Sequence, residues 1–237
     1  MEIRIPLNVI HYYIGFPVFI YIAYHGIRQG RKTGNLTNFY MGFSALLFAI
    51  AVGIIGIPAL FTQDSQILTW GNILSDLHLS VALMGIWLLA GRLYLPTKML
   101  QRYMLYFFAT ILTVASIVIA TINDFANKTT LVLENGVWQL NFPANFAYQL
   151  VYAAHFFSMI LVGLAFWRQA QQIPRGVQRW RVRVYSILFL SIGALFIAQP
   201  IFRIQFDSQL NGSIMALFFS LVGVFSLLAW IFQRRQH

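Results

Sequence analysis

The chain predicts an all-α membrane protein, a bundle of seven transmembrane helices with its N-terminus outside and its C-terminus cytoplasmic. Three observations predict it. Of 237 residues, 59% are hydrophobic and only 9% charged, against about 25% charged in a soluble domain. Seven apolar runs, at 7–28, 38–62, 70–94, 100–122, 145–169, 182–205 and 212–233, meet the ~20 residues a helix needs to cross a bilayer. Charge also alternates between the connections. Thirteen basic residues, from Arg28 to Arg235, fall in one set of gaps, and only Arg4, Lys128 and Arg203 fall in the other, beside all six acidic residues. Excess Lys and Arg in short loops marks the cytoplasmic face.

Each run has a local reading. The first carries His11, Tyr12, Tyr13 and Pro17; with no cleavage site and no basic segment before it, it is expected to be a retained helix. Gly53, Gly56 and Pro58 interrupt the second near its outer end. The third carries Asn72, Ser75, Asp76, His78 and Ser80, and the fourth ends at Asn123 and Asp124. Between the fourth and fifth runs, two β-prone stretches flank Glu134-Asn135-Gly136, a turn that predicts a hairpin over about 129–142, outside the membrane and folded over the bundle. The fifth run carries Tyr148, Tyr152, His155 and Met159 as one helical stripe. A basic connection at 168–183 contains Pro174-Arg175-Gly176 and Trp180, a membrane-surface composition that opens the sixth helix. The sixth run brings Gln199, Pro200 and Arg203. None of the runs alternates as β-barrel strands do. Seven spans form a single domain with no room for a soluble one.

Residues that resist burial point to function. His11, Asn72, Asp76, Tyr152, His155, Gln199 and Arg203 all fall in the outer half of the expected bundle, which makes them a candidate ligand-binding cluster. Asn72, Asp76 and Ser80 are spaced i, i+4, i+8 and share a face; His78 points away from it. Asp76 is the one aspartate placed within a span, with Arg203 as its expected counter-charge and no clustered carboxylate nearby.

Cofactor chemistry is limited. With no cysteine, thiolate metal sites and thiol nucleophiles are excluded, and no metal site is expected. His78 and His155 at similar depth suit one b-type haem. Seven helices with a hairpin before the fifth resemble rhodopsins and other seven-helix receptors in topology alone. The three lysines, Lys32, Lys98 and Lys128, all lie in connections, so retinal is not held by a Schiff base.

The net charge of +10 is spread over short loops and a tail, which favours anionic inner-leaflet lipid over nucleic acid. The expected setting is a multi-pass protein of a plasma or inner membrane, in contact with the bilayer and with another membrane protein as a candidate partner. No hydrolytic or transferase motif is present. The sequence therefore predicts a non-catalytic protein that binds a small ligand or partner through its outer half, as a sensor-like module or an accessory subunit. The alternatives are a haem-bearing electron carrier and a proton- or cation-coupled transporter or channel.

Overall fold

The computed structural model describes residues 4–95, 97–134, 136–142, 145–202 and 220, without the side chains of 8, 177, 181 and 199–202. The elements in order are a 3-10 turn at Leu7–Val9, α1 (Ile10–Thr33), α2 (Leu36–Ala59), α3 (Ser65–Tyr94), α4 (Met99–Ala126), β1 (Thr130–Glu134), β2 (Val137–Asn141), α5 (Phe146–Gln172) and α6 (Val177–Phe202). The apolar run at 212–233 and Arg203 lie outside the described residues, Ser220 apart. Six helices are therefore described, and five carry stretches long and apolar enough to cross a membrane: α2, α3, α4, α5 and Gln178–Ala198 of α6. The 24 residues of α1 are about 36 Å long, but four tyrosines and two histidines make it less apolar.

Capping sets the helix ends. Asp64 precedes α3 and its carboxylate accepts from Gln66 N–H at 2.8 Å, satisfying a donor with no intrahelical partner. Helix α3 therefore starts at Ser65, a turn earlier than hydropathy alone indicated. Asn35 and Asn145 cap α2 and α5 in the same way. Helix α1 stops at Gly34, whose φ of 65° is the left-handed conformation that ends a helix.

The helices run up and down. Gly26 and Gly30 of α1 lie against Gly42 and Phe39 of α2, while Gly53 and Gly56 of α2 meet Phe16 and Tyr13 of α1. At Gly26 and Gly42 the two backbones approach so closely that a Cβ on either would meet the other helix's main-chain atoms. The expected interruption of α2 is not observed. The helix continues through Gly53, Gly56 and Pro58 to Ala59; the glycines admit α1 side chains, and Tyr13 Oη donates to Gly56 O at 3.1 Å. Further pairs, Gly71 with Ile55 and Gly85 with Ser44, set α3 antiparallel to α2. Ser186 Oγ donates to Gly163 O at 2.7 Å across the antiparallel α5–α6 pair.

The main core is built largely from Phe19, Phe48, Leu83, Ile86, Phe156, Met159, Leu188 and Ile192, with Ala120 joining it from α4. Helix α4 lies at the edge. It presents Phe107, Ile111, Val114, Val118 and Ile122 outward, a face suited to lipid. A second cluster joins Val9, Ile55, Ala59 and Leu68 to Leu131 and Leu140 of the hairpin. The hairpin over 129–142 thus forms as expected, in the register Thr130 with Asn141 to Glu134 with Val137, and it closes one end of the bundle. Gly136, at φ 78°, makes its turn. Arg4 lies over the Trp138 ring at 5.3 Å and ties the N-terminal segment to it.

The candidate polar site beneath the hairpin

Helices α3 and α5 run parallel, and the bonds between them fix their register. Tyr148 Oη on α5 donates to Asp76 on α3, 3.0 Å from Oδ1 and 3.1 Å from Oδ2. One turn deeper, Tyr152 Oη lies 3.1 Å from Ser80 Oγ and donates to Asp76 O at 3.3 Å. The expected stripe Asn72–Asp76–Ser80 is buried along its length, and it faces the stripe of α5 that was read as Tyr148–Tyr152–His155–Met159.

Helix α4 supplies the partner of Asp76, a pairing that the sequence did not indicate. It runs to Ala126, past the apolar run that ends at 122, and carries Asn123 and Asp124, expected at its end, into the bundle, each 2% exposed. The Asp124 carboxyl adjoins those of Asp76 and the Asn72 amide. Asn123 Nδ2 donates to Asp124 Oδ1 at 3.2 Å, whereas Asp124 Oδ2 is shielded and has no hydrogen-bond partner among the described residues. Asn123 Oδ1 accepts from Asn145 N–H at 3.0 Å, which locks the end of α4 to the start of α5. Asp76 is therefore not a lone buried carboxyl. Contrary to the expectation of no clustered carboxylate, two aspartates on different helices form a pair. Arg203, the expected counter-charge, lies outside the described residues, and no lysine or arginine among the described residues meets either carboxyl.

Three other predicted residues fall elsewhere. His11 is buried on the first turn of α1, its ring edge-on to Tyr12 at 4.4 Å. Tyr12 packs beneath the hairpin, at the end of the bundle that holds Asp76. His155 is fully buried, its Nε2 3.3 Å from Thr113 Oγ1 of α4. Thr113 spends its only hydroxyl hydrogen on Ala109 O at 2.8 Å, so the imidazole is the donor in this contact. His155 is then the Nε2–H tautomer, with Nδ1 left without a partner among the described residues. Gln199 lies on α6, with its side chain outside the described residues.

His78 and His155 are not brought together. Tyr148 is level with Asp76 and Tyr152 with Ser80, which places His155 about 7.5 Å deeper than His78 at 1.5 Å per residue. His78 Nδ1 bonds Leu74 O of its own helix at 2.7 Å, on the face away from Asp76, as the spacing predicted. Among the described residues, no three metal-ligating His, Asp or Glu side chains converge.

A small, partly open apolar pocket of about 30 Å³ lies at a different place, among α1, α2, α3, α5 and α6, lined by Phe19, Phe48, Ile86, Met159, Phe189 and Ile192. It is too small for an organic ligand, and Tyr185 is the one lining residue with a hydroxyl.

No protein-family model matches this chain, and no curated protein matches it either. The functional reading therefore rests on the residues themselves.

Proposed function

We propose that this is a non-catalytic integral membrane protein that binds a small ligand in the outer half of its helix bundle, at the Asp76–Asp124 site beneath the hairpin. It acts as a sensor-like module or as an accessory subunit. The carrying observation is the carboxyl pair itself. Two buried acidic groups from different helices, with only neutral donors around them among the described residues, are costly to maintain for structure alone. Such a cost is retained where the site does work. A carboxyl pair also serves aspartic hydrolysis, but here Tyr148 bonds both oxygens of Asp76. That arrangement favours a binding clasp over an open dyad.

In the same reading the apolar run at 212–233 is a seventh span, the hairpin faces the exterior, and the basic connections face the cytoplasm and its anionic lipid. The membrane is a plasma or inner membrane. The cysteine-free chain makes the orientation testable. Glu134→Cys should react with a membrane-impermeant maleimide on intact cells and Gly176→Cys should not; the reverse pattern would invert the site. For binding, the purified protein is screened by thermal shift against amino acids, sugars, polyamines and salts. A true ligand stabilises the wild type and loses its effect in Asp76→Asn and Tyr152→Phe. If the two variants respond to every compound as the wild type does, the site is not a binding site.

A second reading has its own observation. Below the carboxyl pair, Tyr152–Ser80 and Thr113–His155 continue a polar line into the bundle, as a proton- or cation-coupled transporter would require. Liposome flux that ignores Asp76→Asn would dismiss it.

A further inference from the structure

We propose that Arg92 and Arg102 clasp the phosphate of one anionic phospholipid, at the end of the bundle opposite the hairpin. This site rests on the reading above that the basic connections face the cytoplasmic leaflet.

Three contacts set the register of the antiparallel α3–α4 pair. The Trp87 ring meets Phe108 edge-on at 5.7 Å. Tyr106 Oη donates to Leu88 O at 3.3 Å. A Cβ on Gly91 would meet the side chains of Leu105 and Tyr106. Continued toward the α3–α4 connection, this register brings Arg92 level with the first turn of α4, which holds Arg102. Spacing puts both residues on the shared interface. Arg92 follows Leu88 by four residues and Arg102 precedes Tyr106 by four, so each lies on the stripe through which the two helices touch. Both are half-buried there. On its other side Arg92 lies over the Tyr40 ring of α2, 5.6 Å from the ring centre.

The charge at this end is one-sided. The described acidic residues, Asp64, Asp76, Asp124 and Glu134, all belong to the hairpin half. Asp76, the nearest along α3, is 16 residues from Arg92, about 24 Å. The Nε of Arg92 is shielded from solvent and has no hydrogen-bond partner among the described residues. An unmade bond at such a donor is costly, and the face of Tyr40 offsets only part of a full charge. Helix α4 adds to the positive field. Lys98 gives it no side-chain cap and its first turn has no acidic residue, so its leading N–H groups leave that end of the helix positive.

Ligand chemistry follows from the two sides of the site. Arginine forks take phosphate oxygens in pairs, and basic pockets between spanning helices on the cytoplasmic side hold lipid headgroups. The apolar part of the ligand is set by α4. Tyr103, Met104, Phe107 and Phe108 are exposed on it, so acyl chains have a surface that runs from the arginines toward the middle of the bundle. A soluble phosphate leaves that surface unused.

The test uses the full chain, delipidated in an uncharged detergent and titrated with phosphatidylglycerol. Phosphatidylcholine and inorganic phosphate are the comparison arms. Thermal unfolding and native mass spectrometry are the readouts. The expected result is saturable stabilisation by phosphatidylglycerol, one lipid retained per chain, and little effect of the other two. Apparent affinity falls about tenfold or more in Arg92→Gln and in Arg102→Gln, as loss of a charge-assisted bond requires. Arg183→Gln, near the start of α6, keeps the response. Arg92→Lys and Arg102→Lys retain the charge without the fork. They guard against misfolding of the other pair and should bind with intermediate affinity.

Four results overturn the proposal. Equal stabilisation by phosphatidylcholine reduces the effect to general solvation. Saturation by inorganic phosphate alone makes the occupant a soluble ion. A loss in Arg183→Gln as large as that in Arg92→Gln makes the surface a diffuse one. Unchanged affinity in both Arg92→Gln and Arg102→Gln removes the site. Orientation is read separately, by maleimide labelling of Glu134→Cys and Gly176→Cys. A normal labelling pattern without lipid binding and an inverted pattern with it are different results, so the two failures are distinguishable.

Discussion

The Tyr148 hydroxyl bridges both carboxylate oxygens of Asp76, at 3.0 and 3.1 Å, across the α3–α5 interface. The two residues are 72 apart in sequence, so the contact ties distant parts of the chain. A hydrogen bond to a charged group contributes about 1.5–3 kcal/mol in soluble proteins. Double-mutant cycles within membranes average nearer 0.6 kcal/mol, because the unfolded state in lipid also finds partners. The pair is buried and bifurcated, so its coupling should fall between those values, at about 1–2 kcal/mol. A cycle of Tyr148→Phe and Asp76→Asn, read by denaturant unfolding, measures it. Coupling indistinguishable from zero would mean that Tyr148 merely packs beside Asp76.

A second prediction concerns His155. The Thr113 hydroxyl donates to Ala109 O and has no hydrogen left for the imidazole. Thr113→Val should therefore leave both ring nitrogens of a fully buried histidine without partners, at a cost of about 1–3 kcal/mol. Thr113→Ser should restore the oxygen and most of the stability. Removing both polar partners, as Thr113→Val with His155→Phe, should cost less than the two changes summed, since no orphan remains. Nitrogen NMR of labelled imidazole should show the Nε2–H tautomer at His155. An Nδ1–H signal would show that the assigned direction of this bond is wrong.

The Asn72–Asp76–Ser80 stripe, the opposed direction of His78 and the hairpin over 129–142 were all legible in the sequence, because each rests on short-range spacing. The turn at Gly136 needs a positive φ, observed at 78°, and the flanking β-prone residues needed only to pair. The partner of Asp76 was harder to see. Asn123 and Asp124 were legible at the end of the fourth helix, and α4 runs on to Ala126, but no spacing along α4 says that Asp124 meets Asp76 of α3. The nearest signal is the small and polar stripe Ala109–Thr113–Ser116–Ala120–Asn123, every member of which is buried, with Asp124 beside its last member, while Phe107, Ile111, Val114, Val118 and Ile122 face outward. In a membrane helix the apolar face turns to lipid, so the polar stripe marks the inside. Which helices flank one another was not legible either. The α3–α5 parallel pairing is a non-local arrangement that no spacing along one helix encodes.

The last prediction separates a backbone contact from a side-chain contact along one interface. A Cβ added at Gly42 would meet Ile27 N, Gly26 C and Ala23 O, all main-chain atoms of α1. None of these yields unless the helices separate. At Gly53 the nearest atom would be Phe16 Cε2 at 3.0 Å, the end of a ring that can turn aside. Alanine favours a helix over glycine by about 1 kcal/mol at either site, so the sign of each change depends on the clash. Overpacking costs about 1–3 kcal/mol where the backbone must move. Gly42→Ala should therefore be destabilising, and Gly53→Ala nearly neutral. Gly26 makes the reciprocal contact with Gly42 Cα and N. Once α1 and α2 have parted for one alanine, the second meets a wider gap. The double variant Gly26→Ala with Gly42→Ala should then lose less stability than the two single losses added. Additive losses would place the two glycines in separate contacts and argue against the observed crossing of α1 and α2.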